Sequence, residues 1–152
     1  MGSRTSCSTS KRPVVPDIFV YTDASSDHSC RVSCIGVVID KVGDVHAFSE
    51  KVKFNENIAV IEAEAIIKAL DKCSSIGLYQ ERITVCIDCE TLYRCLLQMT
   101  GKEPEDLRGK IRLIKRKCKR FTKVSIVLVG RFIVEVAHKL AVKELRGIRE
   151  SL

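Results

Sequence analysis

Apolar residues run almost without interruption through Ile18-Phe19-Val20-Tyr21-Thr22, and the run ends in Asp23. A second run, Ile83-Thr84-Val85-Cys86-Ile87, ends in Asp88. Neither alternates cleanly, so both read as strands buried on two faces, the habit of parallel strands covered by helices. Between them, residues 31–40 alternate and then turn apolar through Ile35-Gly36-Val37-Val38-Ile39, and Lys41-Val42-Gly43-Asp44 supplies turn chemistry before a strand over 46–54. From residue 59 the period changes to that of a helix, which is predicted to run to residue 72. Helices over 90–97 and 104–120 follow the second acid-ended strand, with Pro104 near the first turn of the longer one. A strand over 123–129 and a helix over 132–149 close the chain. The order βββαβααβα predicts an α/β fold: a five-stranded mixed sheet, a three-strand antiparallel meander plus parallel strands, flanked by helices.

With 152 residues, 45% of them hydrophobic, the chain can bury one substantial core, and residues 17–150 are assigned to a single domain. Residues 1–16, rich in Ser, Arg, Lys and Pro and without apolar periodicity, are expected to form a flexible basic arm. Its opening Met1-Gly2-Ser3-Arg4-Thr5-Ser6 fits the N-myristoylation pattern with Cys7 beside it, and fits a cloning remnant equally well. No apolar stretch approaches the roughly 20 residues that span a bilayer. The 26 Lys and Arg exceed the 19 Asp and Glu, and the excess gathers in Arg108, Lys110, Arg112, Lys115, Arg116, Lys117, Lys119, Arg120 and Lys123. Such density points to a polyanion, nucleic acid first, against a solvated helix face or a membrane-surface patch. The eight cysteines come without a secretory signal and read as reduced thiols of an intracellular protein, in cytoplasm or nucleus. Cys86-x-x-Cys89 has half the spacing of a zinc site and no second pair to complete it.

Two residues break their helical faces. In the helix from residue 59, Glu64, Lys68 and Asp71 share a solvent face on which Glu64 can pair with Lys68. Glu62 lies about 200° around the axis from Glu64, in line with Ala65, Ile66 and Ala69 on the side that packs against the sheet. An acid there is costly unless a cation or hydrogen bonds meet it; the structural alternative is a first-turn Glu favoured by the helix dipole or a capping contact. Beside Asp23 and Asp88, the geometry suits hard divalent cations. In the last helix His138 interrupts the stripe Val134, Ala137, Ala141, Leu145, Ile148, as a hydrogen-bonded core histidine or as a site residue.

Taken in order, Tyr21-Thr22-Asp23-Ala24-Ser25, Glu62-Ala63-Glu64-Ala65 with Ala69-Leu70, Asp88-Cys89-Glu90, and Val129-Gly130-Arg131 leading into Val136-Ala137-His138-Lys139-Leu140-Ala141 resemble the signature of type 1 ribonuclease H, in the style of its plant and retroelement branch. The resemblance covers about residues 18–145. It implies a ribonuclease H-like fold and an endonuclease that hydrolyses the RNA strand of RNA–DNA hybrids with two Mg²⁺ or Mn²⁺ ions. It places Asp23, Glu62 and Asp88 at the first three metal-binding carboxylate positions and His138 at the fourth, usually Asp. Imidazole favours softer metals, so a preference for Mn²⁺ or a weakened second subsite is expected. Alternatively, neighbouring carboxylates keep His138 cationic, to touch phosphate or protonate the leaving group. The chain lacks the long loop that carries a mobile histidine in bacterial-type members.

Lys115, Arg116, Lys119 and Arg131 are the expected phosphate contacts, giving salt-dependent affinity, while Asn55 and Asn57 are phosphate or base-edge contacts or ordinary turn residues. The rival to the nuclease is a catalytically impaired ribonuclease H fold that binds nucleic acid or a protein partner. An adaptor with no nucleic-acid role is disfavoured by the basic helix.

Overall fold

A computed structural model describes residues 17–152; the arm over residues 1–16, with its lipidation pattern, lies outside the described residues. Strands β1 (Ile18–Asp27), β2 (Val32–Lys41) and β3 (Asp44–Val52) form the antiparallel meander. The first eight residues of β2 are buried because helices cover both its faces. The β2–β3 turn is two residues long, with Lys41 opposite Asp44 and with Val42 and Gly43 both at positive φ, 49° and 89°. Asp40 Oδ1 accepts from the Gly43 amide at 2.9 Å. This hairpin geometry matches the right-handed strand twist, and it starts β3 two residues earlier than the predicted 46–54.

Helix α1 (Ile58–Ser75) is capped by Asn57, whose side chain accepts from the Ala59 amide. Then come β4 (Arg82–Ile87), α2 (Glu90–Leu97), α3 (Glu105–Cys118), β5 (Lys123–Leu128), a 3₁₀ turn (Arg131–Val134) and α4 (Glu135–Ser151). The sheet order is β3-β2-β1-β4-β5, with β1–β4 and β4–β5 parallel. The fold class read from the sequence is therefore the one observed. The last helix differs in detail: residues 131–134 coil more tightly, and the α-helix begins only after Val134, the first buried residue of its stripe.

Helix α1 lies on one sheet face, packing on β1 and β2, and its Ile66 and Leu70 belong to the same buried core as Val85 and Ile87 of β4. Helix α3 packs mainly on α1 and adds Leu107, Ile111 and Ile114 to the same core. Glu64 pairs with Lys110 of α3 at 2.5 Å, not with Lys68, which pairs instead with Glu50 at 3.0 Å; Asp71 takes Lys117 at 2.6 Å. The face of α1 that looked solvent-exposed is thus half covered, because α3 lies along it. Helix α4 covers the other sheet face, packing on β1, β2 and β3.

Candidate metal centre

Strand β1 pairs with β4 only from Ile18 to Tyr21, while its pairing with β2 continues to Asp27. At Asp23 the β4 side of β1 is therefore open, at the point where the parallel and antiparallel halves of the sheet diverge. Open α/β sheets put their sites at such a switch, off the carboxyl ends of parallel strands. Asp88 follows the last residue of β4, so it enters the same opening from the neighbouring strand. Glu62 comes down from the sheet-facing stripe of α1. The three carboxylates each bring one oxygen to within 4.8 Å of the others.

Burial makes this costly. Asp23 is fully buried and Glu62 is 5% exposed. Asp23 Oδ1 and Glu62 Oε1 are buried and have no hydrogen-bond partner among the described residues. Removal from water, reinforced by the negative charges of Asp23 and Asp88, holds the Glu62 carboxyl well above the ordinary carboxylate range. Burial and Asp23 likewise raise Asp88, opposed by the Arg131 guanidinium. Buried, unpaired, mutually repelling oxygens are what a hard divalent cation satisfies, and the all-carboxylate donor set fits Mg²⁺ or Mn²⁺.

Two further side chains reach the cluster. Arg131 stands three residues beyond the end of β5, whose line is extended by a hydrogen bond from the Val129 amide to the Ile87 carbonyl, 2.8 Å. Its Nε lies 2.8 Å from Asp88 Oδ2, and its Nη1 lies 3.4 Å from Asp23 Oδ2 and 2.7 Å from His138 Nδ1. His138 Nδ1 also lies 2.7 Å from Asp23 Oδ2. One ring nitrogen serves one of these partners at a time: it donates to Asp23 or accepts from Arg131.

His138 reaches so far because α4 sits directly on the sheet at Gly36, the residue paired with Asp23. A Cβ on Gly36 would lie 1.9 Å from the Ala137 carbonyl oxygen. Sequence reasoning did not single out Gly36, although a glycine inside an otherwise apolar strand signals a close backbone approach.

The structure thus gathers Asp23, Glu62, Asp88 and His138, and it adds Arg131, which sequence reasoning had assigned to phosphate contact. An arginine just past a strand that ends at the carboxylate edge was the available signal. Asn57 is occupied as the helix cap; Asn55 accepts from the Asn57 amide at 2.8 Å and donates to Asp106 at 2.7 Å. Lys115, Arg116 and Lys119 are exposed and form no ion pair among the described residues.

The sequence matches the family described as reverse transcriptase-like over residues 21–144. No curated protein matches it. Among solved structures, ribonuclease H1 from the halophilic archaeon Halobacterium salinarum NRC-1 superposes with a TM-score of 0.77 at 21% identity, over 86% of this chain and 98% of that one. The N-terminal ribonuclease H domain of a Mycobacterium tuberculosis protein gives 0.76 at 16% identity, over 91% and 99%. LC11-RNase H1, solved in complex with an RNA/DNA hybrid, gives 0.73 at 24% identity, over 83% and 94%. With the sheet order, the helices on both faces and a family match spanning most of the domain, the chain belongs to the reverse transcriptase-like family and has the ribonuclease H fold.

Proposed function

We propose that the protein is a divalent-metal-dependent endoribonuclease that hydrolyses the RNA strand of RNA–DNA hybrids. The observation that carries this reading is the convergence of Asp23, Glu62 and Asp88 from three separate elements, with two buried oxygens left without partners. A fold gains nothing in stability from such a cluster, so a ligand of opposite charge accounts for it. Asp23, Glu62 and Asp88 would hold the cation, which supplies charge to activate water and to stabilise the departing 3′-oxygen.

The chain's own residues then have separable tasks. Asp23 and Glu62, fixed on β1 and α1, present oxygens in a rigid, dry setting that needs little reorganisation. Asp88, 10% exposed, is the carboxylate nearest to solvent and to the path of a polymer across the sheet edge. The exposed Lys115, Arg116 and Lys119 attract the phosphate backbone without reading sequence. Preference for a hybrid would come from its shape and its 2′-hydroxyls.

The test is cleavage of an end-labelled RNA–DNA hybrid in Mg²⁺ and in Mn²⁺, with Asp88→Asn as the inactive control. Cleavage abolished by the substitution is the expected result. A second reading, a fold that binds nucleic acid without cutting it, is favoured by the contact of Arg131 with two of the three acids. Salt-dependent hybrid binding with no cleavage in either metal would establish it instead.

A further inference from the structure

Four of the six carboxylate oxygens of the cluster fall into two sets. Asp23 Oδ1 and Glu62 Oε1 are buried and unpartnered. Asp23 Oδ2 and Asp88 Oδ2 face Arg131, which spans them through Nη1 and Nε, with His138 Nδ1 on the same side. One set is unsatisfied and the other already holds a positive charge. We infer that Arg131 takes the place of a second metal ion, so that this centre operates with one divalent cation and one guanidinium.

Charge supports the assignment. With all three carboxylates ionised, as a bound cation would require, they carry three negative charges and Arg131 returns one; the remaining two match a single divalent ion. A second divalent ion would leave two positive charges in excess, of which a bound phosphodiester would offset only one, in a pocket where Asp23 is wholly buried and charge is poorly screened. Geometry agrees, because a guanidinium is planar and permanently charged, and its donors are set at fixed angles, so it can span two carboxylates as a bridging cation does. Arg131 is also held by short connections, with only Val129 and Gly130 between β5 and its own 3₁₀ turn. Its side chain remains 55% exposed, leaving donors free toward a phosphate arriving from solvent.

The inference rests on the metal-dependent reading above, and the test separates the two. Mn²⁺ is titrated calorimetrically into the full chain, alone and with a bound duplex whose RNA strand carries cleavage-resistant 2′-fluoro sugars, and electron paramagnetic resonance is recorded on the loaded samples. The wild type is expected to bind one Mn²⁺ in its carboxylate site, with no exchange-coupled pair in either sample. Arg131→Lys keeps the charge and should stay at one. The double variant Arg131→Gln with His138→Asp removes one positive charge and adds one negative, and should bind two ions whose spectrum shows coupling at about 4 Å. A coupled pair in the wild type overturns the inference, as does failure of the wild type to bind Mn²⁺ or a well-folded double variant that still holds one ion. Should the double variant not fold, the wild type and Arg131→Lys decide the matter. One bound Mn²⁺ with an unmodified hybrid left intact sinks the nuclease while the assignment of Arg131 stands.

Discussion

Replacing Gly36 by alanine tests how the last helix is held over the site. The added Cβ would lie 1.9 Å from the Ala137 carbonyl oxygen, 2.9 Å from the Ala137 carbonyl carbon and 3.0 Å from the Ala141 amide nitrogen. All three are backbone atoms, so no side-chain rotation relieves the clash. Bringing the oxygen out to an ordinary contact of 3.4 Å requires a shift of about 1.5 Å between β2 and α4. Neither partner yields easily, since β2 is paired on both sides and α4 is seated along β1, β2 and β3. Overpacking of well-packed interiors costs about 1–3 kcal/mol, and a backbone-to-backbone collision belongs at the top of that range. For a protein of this length, about 3 kcal/mol corresponds to a fall in Tm of roughly 6–12 °C. The same displacement would draw His138 away from Asp23, and a misplacement of about 1 Å can cost ~100-fold in rate. Thermal unfolding by circular dichroism, paired with hybrid cleavage, measures both effects. A Gly36→Ala protein melting within about 1 °C of wild type would refute the reasoning.

Other outcomes follow from individual contacts. Val42 is a β-branched residue at positive φ with 71% of its surface exposed, so Val42→Asn removes strain of about 1–2 kcal/mol and should raise Tm by several degrees, readable by calorimetry; a lower Tm would count against the hairpin geometry. Because burial holds the Glu62 carboxyl well above its ordinary value of 4.5, the folded state keeps a proton that the unfolded state gives up. The metal-free protein should therefore be most stable at low pH on this account and lose stability as pH rises above about 4.5. Glu62→Gln should abolish that component in urea melts taken across pH in a chelator, and an unchanged profile would remove the carboxyl from consideration. Alanine at Lys115, Arg116 and Lys119 should weaken hybrid binding evenly across sequences, making the fall of log K with log salt shallower by about 0.9 for each phosphate that is no longer neutralised. Filter binding at several salt concentrations checks it, and an unaltered slope would mean that the duplex runs elsewhere.

Much of the site was legible because its signals are local. An apolar run ending in an acid reports both the burial of a strand and the place where it stops, and β1 and β4 each carry that mark. Glu62 betrayed itself by angle, lying among residues that had to face the sheet. What escaped depends on contacts between distant segments. Glu64 pairs with Lys110, 46 positions along the chain, because α3 settles on α1, and no helical spacing encodes that docking. Arg131 resembled any basic residue awaiting phosphate until β5 was placed beside β4. The 3₁₀ turn ahead of α4 was hidden because Phe132, Ile133 and Val136 are apolar enough to continue a helical pattern, although all three are exposed.

The position of α4 in the chain has a consequence for biosynthesis. The helix that covers β1, β2 and β3 on one side of the sheet is translated after all five strands and all three carboxylates. Until it emerges, a nascent polypeptide carrying Asp23, Glu62 and Asp88 displays Val32 and Cys34 to solvent, with no Leu145 or Ile148 to cover them. Synthesis of this helix, rather than elongation past the third acid, is then the step that completes the cover of β1, β2 and β3, and a product stopped before Glu135 would be a substrate for chaperones and proteases.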